Sequence, residues 1–467
     1  MNIYKQLRVI FSVTFLAVAL YGCTDKFEEH VAITDPIVND NLFQQLSKNS
    51  SVSEFNKLLV QTGFDKVISA SKTYTVFAPV NAAIASLNPA ILSDTTRLKN
   101  FVRNHIAVSA FRTDMASNSL TIKMLSGKNL VFLPSKIDDV NITTPDKFAS
   151  NGIYHIIEGT LTPKLSIWEY LQVNTSTNAQ ANFIVSLDAL SIYPGAQPDT
   201  KNPILDNEFT RETFNIRNEE GKFTLFLMQN AAFNTEVAKL IPYLNRSTAD
   251  TSRNLATQYT IRDLVFEGEL NAATLPDTLL SKFGVKVPIV KANIVQTIKA
   301  SNGLIHIMRN VDVKLQNRLV PTKIEGENAL FFRPNRRANT YFRQKLDDKG
   351  IEFKDLMVQN HQVSLYEIGY VSPILFSTKY QVYWRAINDI QTVVFQQRLR
   401  VGSAITPIAF YPYKDVLIRD YKEIFIGEFT LTTSGTVPLD LIGANNNGTT
   451  GTNTLSLDYL KLVPIIK

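Results

Sequence analysis

Part of this chain is written twice, and that constrains its fold more than any other feature. "YTVFAPVNAAI" (Tyr74–Ile84) returns as "FTLFLMQNAAF" (Phe223–Phe233). Thr75 then pairs with Thr224, Phe77 with Phe226, and Asn81-Ala82-Ala83 with Asn230-Ala231-Ala232, at an offset of 149 positions. Further on, "SNGIYHII" (Ser150–Ile157) returns as "SNGLIHIM" (Ser301–Met308) at an offset of 151, which pairs His155 with His306. Two distant blocks that keep nearly one offset mark a duplicated unit, and a duplicated unit closes its own core twice. The 467 residues accommodate about three domains at ~100–200 residues each.

Each copy carries a readable plan. In the first, Phe43, Leu46, Phe55, Leu58, Leu59 and Phe64 recur at helical spacing, which predicts two amphipathic helices, with Ser53 as an N-cap. "YTVFAPV" predicts a buried strand, and Asn81 starts a helix with Pro79 in the turn ahead of it. "LKNFVRNHI" is a helix, and "LTIKMLSGKNLVFLP" alternates like a hairpin turning at Ser126-Gly127-Lys128. "GIYHIIEGTL" is the closing strand.

Two of these blocks, "TVFAPVNAAI" and "NGIYHIIEGTL", resemble the conserved blocks of the fasciclin (FAS1) domain. The resemblance implies two tandem fasciclin-like α+β domains, at residues 40–163 and 164–315. The second copy departs from the pattern. It has Leu227-Met228-Gln229 for Ala78-Pro79-Val80, Arg309-Asn310 for Glu158-Gly159, and an insert around "SIYPGAQPDTKNP". Animal fasciclin domains carry a Tyr-His pair linked to integrin recognition. The matching stretch here is "FVRNHIA", where Asn104 stands in place of the Tyr, and the second copy lacks a His at the corresponding stretch, "IRDLVFEGEL". That departure argues against the animal-type activity and leaves His105 as a partly exposed helix residue.

The chain has five histidines, and the repeat places two of them in one setting. His155 and His306 each lie in an apolar strand, where a histidine is a core residue with both ring nitrogens bonded. The Asn-Ala-Ala block of each copy, with Asn81 or Asn230, is the expected supplier of partners. A metal site needs several convergent ligands, and no His-x-x-x-His spacing accompanies either residue. Neither a metal nor a cofactor is expected.

Beyond Val313 the helical periodicity fades. Strand-like runs follow every 8–15 residues, among them "NALFFRP", "NTYFRQKL", "QNHQVSLYEI", "KYQVYWRAI", "TVVFQQRLR", "EIFIGEFTL" and "LSLDYLKLVPII". This predicts an all-β sandwich over residues 320–467. "KYQVYWRAI" and "LSLDYLKLVPII" resemble a jelly-roll of the carbohydrate-binding type. Candidate ligand-stacking residues are Tyr383, Trp384, Tyr411 and Tyr413. Alternation places Val382 and Trp384 on one face and Tyr383 and Arg385 on the other, so Trp384 competes between core and platform. Arg333, Arg336 and Arg337 form a small basic loop suited to solvent or to an acidic sugar. "GANNNGTTGTNT" has no packing role.

The beginning of the chain reads as an address. Lys5 and Arg8 precede the apolar run Val9–Leu20, and Leu20-Tyr21-Gly22-Cys23 resembles a bacterial lipobox ahead of the only cysteine. Residues 1–22 read as a lipoprotein signal peptide, Cys23 as the lipid attachment, and 23–39 as an acidic tether. That tether resembles the export signal of surface-exposed lipoproteins of Bacteroidota, which implies an outer-membrane, outward-facing protein held by its lipid. The net charge of +6 comes without a long Lys/Arg block, so no nucleic-acid partner is expected. There is no Gly-x-Ser-x-Gly, Walker or zincin motif. No spacing pairs Glu158, Glu267 or Asp458 as a glycosidase would require, so no catalytic residue is assigned. The sequence therefore reads as a lipid-anchored cell-surface binding or adhesion protein that recognises extracellular glycan or matrix through its FAS1-like and β-sandwich modules, with an extracellular glycan or a surface protein as its partner. The alternative is a non-catalytic subunit of an outer-membrane glycan-uptake assembly.

Overall fold

The computed structural model describes residues 39–116, 118–190, 205–333, 339–444 and 451–466. Contacts divide the chain into two compact units. The first runs through Ser166 and takes in Asn218–Glu220 and Ala300–Asn302; the second comprises Ile167–Arg217, Gly221–Lys299 and Gly303–Lys467. Among the described residues no helix is long and apolar enough to cross a membrane.

The first unit is built on strands β1 (Tyr74–Pro79), β2 (Ile106–Val108), β3 (Leu120–Lys123), β4 (Asn129–Leu133), β5 (Lys136–Ile137), β6 (Val140–Ala149) and β7 (Gly152–Ile157). They form one sheet in the order β2-β1-β7-β6-β5-β4-β3. β1 is buried at every residue and pairs parallel with β7, which sets Phe77 beside His155. The expected hairpin is present, with Met124 and Lys128 closing its turn by a 2.9 Å backbone hydrogen bond. The helices Leu42–Ser47, Ser53–Thr62 and Thr95–Arg103 pack Leu46, Phe55, Leu59 and Phe101 onto one side of the sheet. The N-cap expectation for Ser53 is corrected: Ser53 is already helical, and no side chain caps the helix from Val52. Asn81 does so from a distance, its Oδ1 accepting the Glu54 N–H at 2.9 Å while its Nδ2 donates to the Ser50 carbonyl at 2.8 Å.

The second unit opens with the pair β8 (Asp188–Leu190) and β9 (Leu205–Asn207). It continues with β10 (Phe223–Met228), β11 (Val265–Glu267), β12 (Thr278–Leu280), β13 (Lys286–Pro288), β14 (Ile294–Ala300) and β15 (Gly303–Met308). The central order is β11-β10-β15-β14, with β12-β13 as a separate hairpin. β10 and β15 are parallel, and Phe226 lies beside His306. This repeats the β2-β1-β7-β6 core of the first unit strand for strand and residue for residue. Asn230 repeats the remote cap of Asn81, accepting the Ala179 N–H at 2.8 Å and donating to Thr177 at 3.0 Å.

The same unit carries the β-rich segment. Its strands are β16 (Thr322–Glu325), β17 (Phe331–Arg333), β18 (Thr340–Leu346), β19 (Glu352–Val358), β20 (Glu367–Val371), β21 (Lys379–Arg385), β22 (Phe395–Gly402), β23 (Pro407–Phe410), β24 (Lys414–Val416), β25 (Ile424–Thr430), β26 (Pro438–Gly443), β27 (Leu455–Leu457) and β28 (Tyr459–Ile465). β16-β28-β21-β25 form the smaller sheet of a sandwich. β17-β20-β26-β22-β23 form the larger one, β24 also pairing with β22, and β18-β19-β27 a third. Tyr380, Val382 and Trp384 of the smaller sheet share one core with Ile368, Tyr370, Leu399, Val401, Leu439 and Leu441 of the larger. Ser377 and Asn245 tie the sandwich to the α+β part of this unit. Ser377 donates from Oγ to the Pro242 carbonyl at 3.0 Å and accepts the Asn245 N–H at 3.0 Å, and Asn245 donates to Thr432 at 2.8 Å.

Candidate functional site

The repeated residues come together in both copies, as a structural clamp. Thr75 Oγ1 donates to the Ser109 carbonyl at 2.6 Å and accepts the Phe111 N–H at 2.8 Å. His155 Nε2 meets the Phe111 carbonyl at 2.9 Å. In the second copy Thr224 bonds the Gly268 carbonyl at 2.7 Å and the Leu270 N–H at 2.8 Å, and His306 Nε2 meets the Leu270 carbonyl at 2.8 Å. Each Thr-His pair therefore pins the chain that leaves the short antiparallel strand next to it. That chain turns through positive φ at Ser109 and at Gly268. The other ring nitrogen is also engaged. His155 Nδ1 accepts the Asp146 N–H at 3.2 Å, and His306 Nδ1 lies 2.9 Å from Thr297 Oγ1. The expected partners, Asn81 and Asn230, do not touch either histidine; they cap helices instead. Both imidazoles are fully buried, and burial holds both below the ordinary histidine pKa.

The Ser-Asn-Gly blocks follow from the same packing. Gly152 has φ 155°, and a Cβ there would lie 2.0 Å from the Tyr74 carbonyl oxygen. At Gly303, with φ 146°, the distance to the Phe223 carbonyl would be 1.8 Å. Only glycine lets the closing strand start this close to its parallel neighbour.

His105 is fully buried and lies just past the helix Thr95–Arg103, which corrects the expectation of a partly exposed helix residue. Its Nδ1 lies 2.8 Å from the Phe101 carbonyl, and its Nε2 accepts the Leu161 N–H at 2.9 Å. Asn104 donates to the Leu161 carbonyl at 2.8 Å, so the two side chains together hold the end of the domain. In the second copy the equivalent of Asn104 is Asp263, bonded to Arg318 Nε at 3.1 Å. Among the described residues no group of three His, Cys, Asp or Glu could hold a metal.

The aromatic candidates of the sandwich do not form one cluster. Trp384, 1% exposed, points into the core, and Tyr411 is buried with its ring against Gly427. Neither can stack on a ligand, because both rings are buried in the sandwich core. Tyr383 lies on the outer face of the smaller sheet, 5.4 Å from the Phe425 ring. Tyr413 lies on the outer face of the larger sheet. Arg336, Arg337 and Cys23 fall outside the described residues. A cleft of 470 Å³ beside Lys323, Arg385 and Tyr459 is closed to strong new contacts at its base. Arg385 there is already held by Asp458 at 2.7 Å and Asp347 at 2.9 Å.

The larger sheet presents the more developed surface. Arg398 and Arg400 point outward from β22, two residues apart, because Leu399 and Val401 point in. The Arg398 guanidinium lies 4.0 Å from the Phe410 ring centre and 4.4 Å from that of Tyr413. Phe410 is 47% exposed. Arg400 is neutralised by Asp440 at 2.7 Å and Glu367 at 3.1 Å. At the far edge Phe331 covers Gly369, where any Cβ would lie 2.1 Å from the ring. Arg333 lies over Phe331 at 4.6 Å. Pair registers align Phe331, Gly369, Asp440, Arg400 and Phe410 in one row across the sheet. The row places the Phe331 and Phe410 rings at its ends and the charged groups of Asp440 and Arg400 between them. Of the residues on this surface the sequence points to Tyr413 and Arg333, and not to Arg398, Phe410 or Phe331. An Arg-x-Arg alternation inside "FQQRLRV" was the available signal.

Comparison with known proteins bears on the first unit most directly. The fasciclin domain profile matches residues 50–163. Mouse Stabilin-1 is 28% identical over 136 residues, which cover 26% of this chain and 5% of that protein. The chain thus spans a twentieth of that relative's length. Among solved structures, the FAS1 domain pair of the insect cell adhesion molecule Fasciclin I aligns over 58% of this chain and 99% of its own, with 14% identity and a TM-score of 0.25. The C-terminal CBM6 of LamC, a laminarinase of Zobellia galactanivorans, aligns over 31% and 98%, with 13% identity and a TM-score of 0.22. Residues 50–163, with their Thr-His clamp and remote Asn cap, are a fasciclin domain.

Proposed function

We propose that this protein is a non-catalytic surface binding or adhesion lipoprotein. In this reading Cys23 carries the lipid, two fasciclin-type domains lie in tandem between it and the sandwich in the chain, and the sandwich binds an extracellular glycan. The observation that carries the glycan reading is the outer face of the larger sheet, where Phe410 and Tyr413 flank Arg398 beside the Arg400–Asp440–Glu367 row. Exposed rings stack on the C–H faces of sugars while the charged row accepts and donates to hydroxyls. The clamp histidines are left to packing.

The test is a polysaccharide array probed with the full chain. Binding to at least one glycan, weakened by Phe410→Ala and unchanged by Tyr383→Ala on the opposite sheet, supports the reading. Absence of any glycan binding refutes it. An exposed hairpin tip, with Ile405 93% and Ile408 43% exposed, favours the second reading, a docking subunit of a glycan-uptake assembly. Lipid attachment is tested separately. Labelled palmitate should enter the wild type and not Cys23→Ser, and equal labelling of both refutes the anchor.

A further inference from the structure

We infer that the sandwich face takes an acidic glycan, one whose sugars carry a carboxylate, and that Arg398 is its receptor. This rests on the glycan-binding reading above and narrows it.

The inference starts from how the arginines on that face are used. Arg400 already has two carboxylates, Asp440 and Glu367. Arg333 has Glu367 only at the limit, 4.0 Å. Among the described residues Arg398 has no carboxylate within ion-pair distance. Its cationic head is held between the Phe410 and Tyr413 rings, and its Nε is buried with no hydrogen-bond partner. Arg400 and Arg333 thus share Asp440 and Glu367, and Asp415 on the same face accepts from Gln396 at 2.7 Å, which leaves Arg398 as a cation of fixed orientation with no carboxylate at ion-pair distance among the described residues.

Such a group suits a carboxylate for three physical reasons. A guanidinium presents parallel donors at the spacing of two carboxylate oxygens, so a uronate is held in bidentate fashion. The flanking rings remove water from the guanidinium faces, so little hydration is lost when the ion pair forms. The same rings are apolar platforms within one sugar's reach, so the residue bearing the acid is stacked while its charge is paired. A neutral sugar would use the rings and leave the unpaired cation beneath it, which costs desolvation without return. Arg333 adds positive field at the other edge of the sheet and favours a polyanion lying across it.

The experiment is calorimetric titration of the full chain with polygalacturonate and alginate, with dextran sulfate as a second anion and laminarin and xylan as neutral polymers. Uronate polymers should bind about tenfold or more tightly than neutral ones, the effect of one charge-assisted hydrogen bond. Arg398→Gln should lose that advantage, and Arg398→Lys should recover little of it because the fork is gone. Both variants should melt within a few degrees of wild type, and Tyr383→Ala serves as a control that binds normally. Dextran sulfate bound as tightly as uronate, with Arg398→Lys unimpaired, would overturn the carboxylate assignment. Equal affinity for neutral polymers, or unchanged uronate binding by Arg398→Gln, would overturn it too while leaving the glycan reading intact. If no polymer binds, both fall together.

Discussion

At the level of single residues, the repeated histidines serve the fold. His155 and His306 occupy one sheet position, and each ring closes a loop already gripped by a threonine two residues ahead of its neighbouring phenylalanine. Their likeness in the sequence was visible, but their partners were not, because the loops at Phe111 and Leu270 carry no shared motif. His105 is the most pH-sensitive of the group. Burial holds its pKa down to about 4, against about 6.5 in an unfolded chain. A depressed histidine lends stability that is complete above pH 6.5 and is lost as pH falls toward 4, since the unfolded chain takes up the proton first. Protonation would also set an Nε2–H against the Leu161 N–H that it now accepts. The fasciclin domain should therefore lose about 3 kcal/mol between pH 7 and pH 4 from this residue. Denaturant melts at both pH values check this, and an equal pH slope in His105→Gln would contradict it.

Elements in this protein are fastened by side chains from elsewhere in the chain. The helix Ser53–Thr62 takes its cap from Asn81, and the helix Ala179–Ser186 shares its first N–H with Asn230. Asn81→Ala should cost about 1–2 kcal/mol, the range of an ordinary N-cap. Asn81→Asp, which keeps the acceptor, should cost less, and equal losses would place the effect outside capping. The helical turn Leu315–Arg318 is fastened more strongly. Arg318 is buried, bonded to Asp263 at 3.1 Å and 3.7 Å from Glu236. Burial pushes the carboxyls of Asp263 and Glu236 up despite the arginine. Removing one member of such a set leaves buried charge unpaired, so Arg318→Met should destabilise the second unit by about 3–5 kcal/mol. A loss near zero in urea melts would show that the acids simply neutralise. Strands and helices near the repeat blocks were legible from hydrophobic period. β19, β23 and β26 were not, since "EFKDLMV", "PIAF" and "PLDLIG" are short or lack a clean alternation.

At the scale of the whole molecule, the division into units differs from the count of repeats. The α+β part of the second unit and the sandwich share one compact body, joined at Ser377 and Asn245 and by the Tyr259–Phe376 ring contact at 5.9 Å. Calorimetry should show two unfolding transitions, the larger one carrying both parts. Ser377→Ala with Asn245→Ala should split that transition, whereas three transitions in the wild type would contradict the joint. By itself the sequence determined the duplicated blocks, the strand character of those blocks and the all-β character of the last third. Those follow from local period and from exact recurrence, both of which are written along the chain. Only the tertiary structure decided which aromatics are available. Strand alternation says that Tyr383 and Trp384 face opposite ways, but not which face meets the other sheet. It also decided that Arg398, an ordinary residue in the sequence, lies between two rings contributed by a neighbouring strand and the loop beyond it. Such a site depends on strand register, and register is settled by how whole sheets pack.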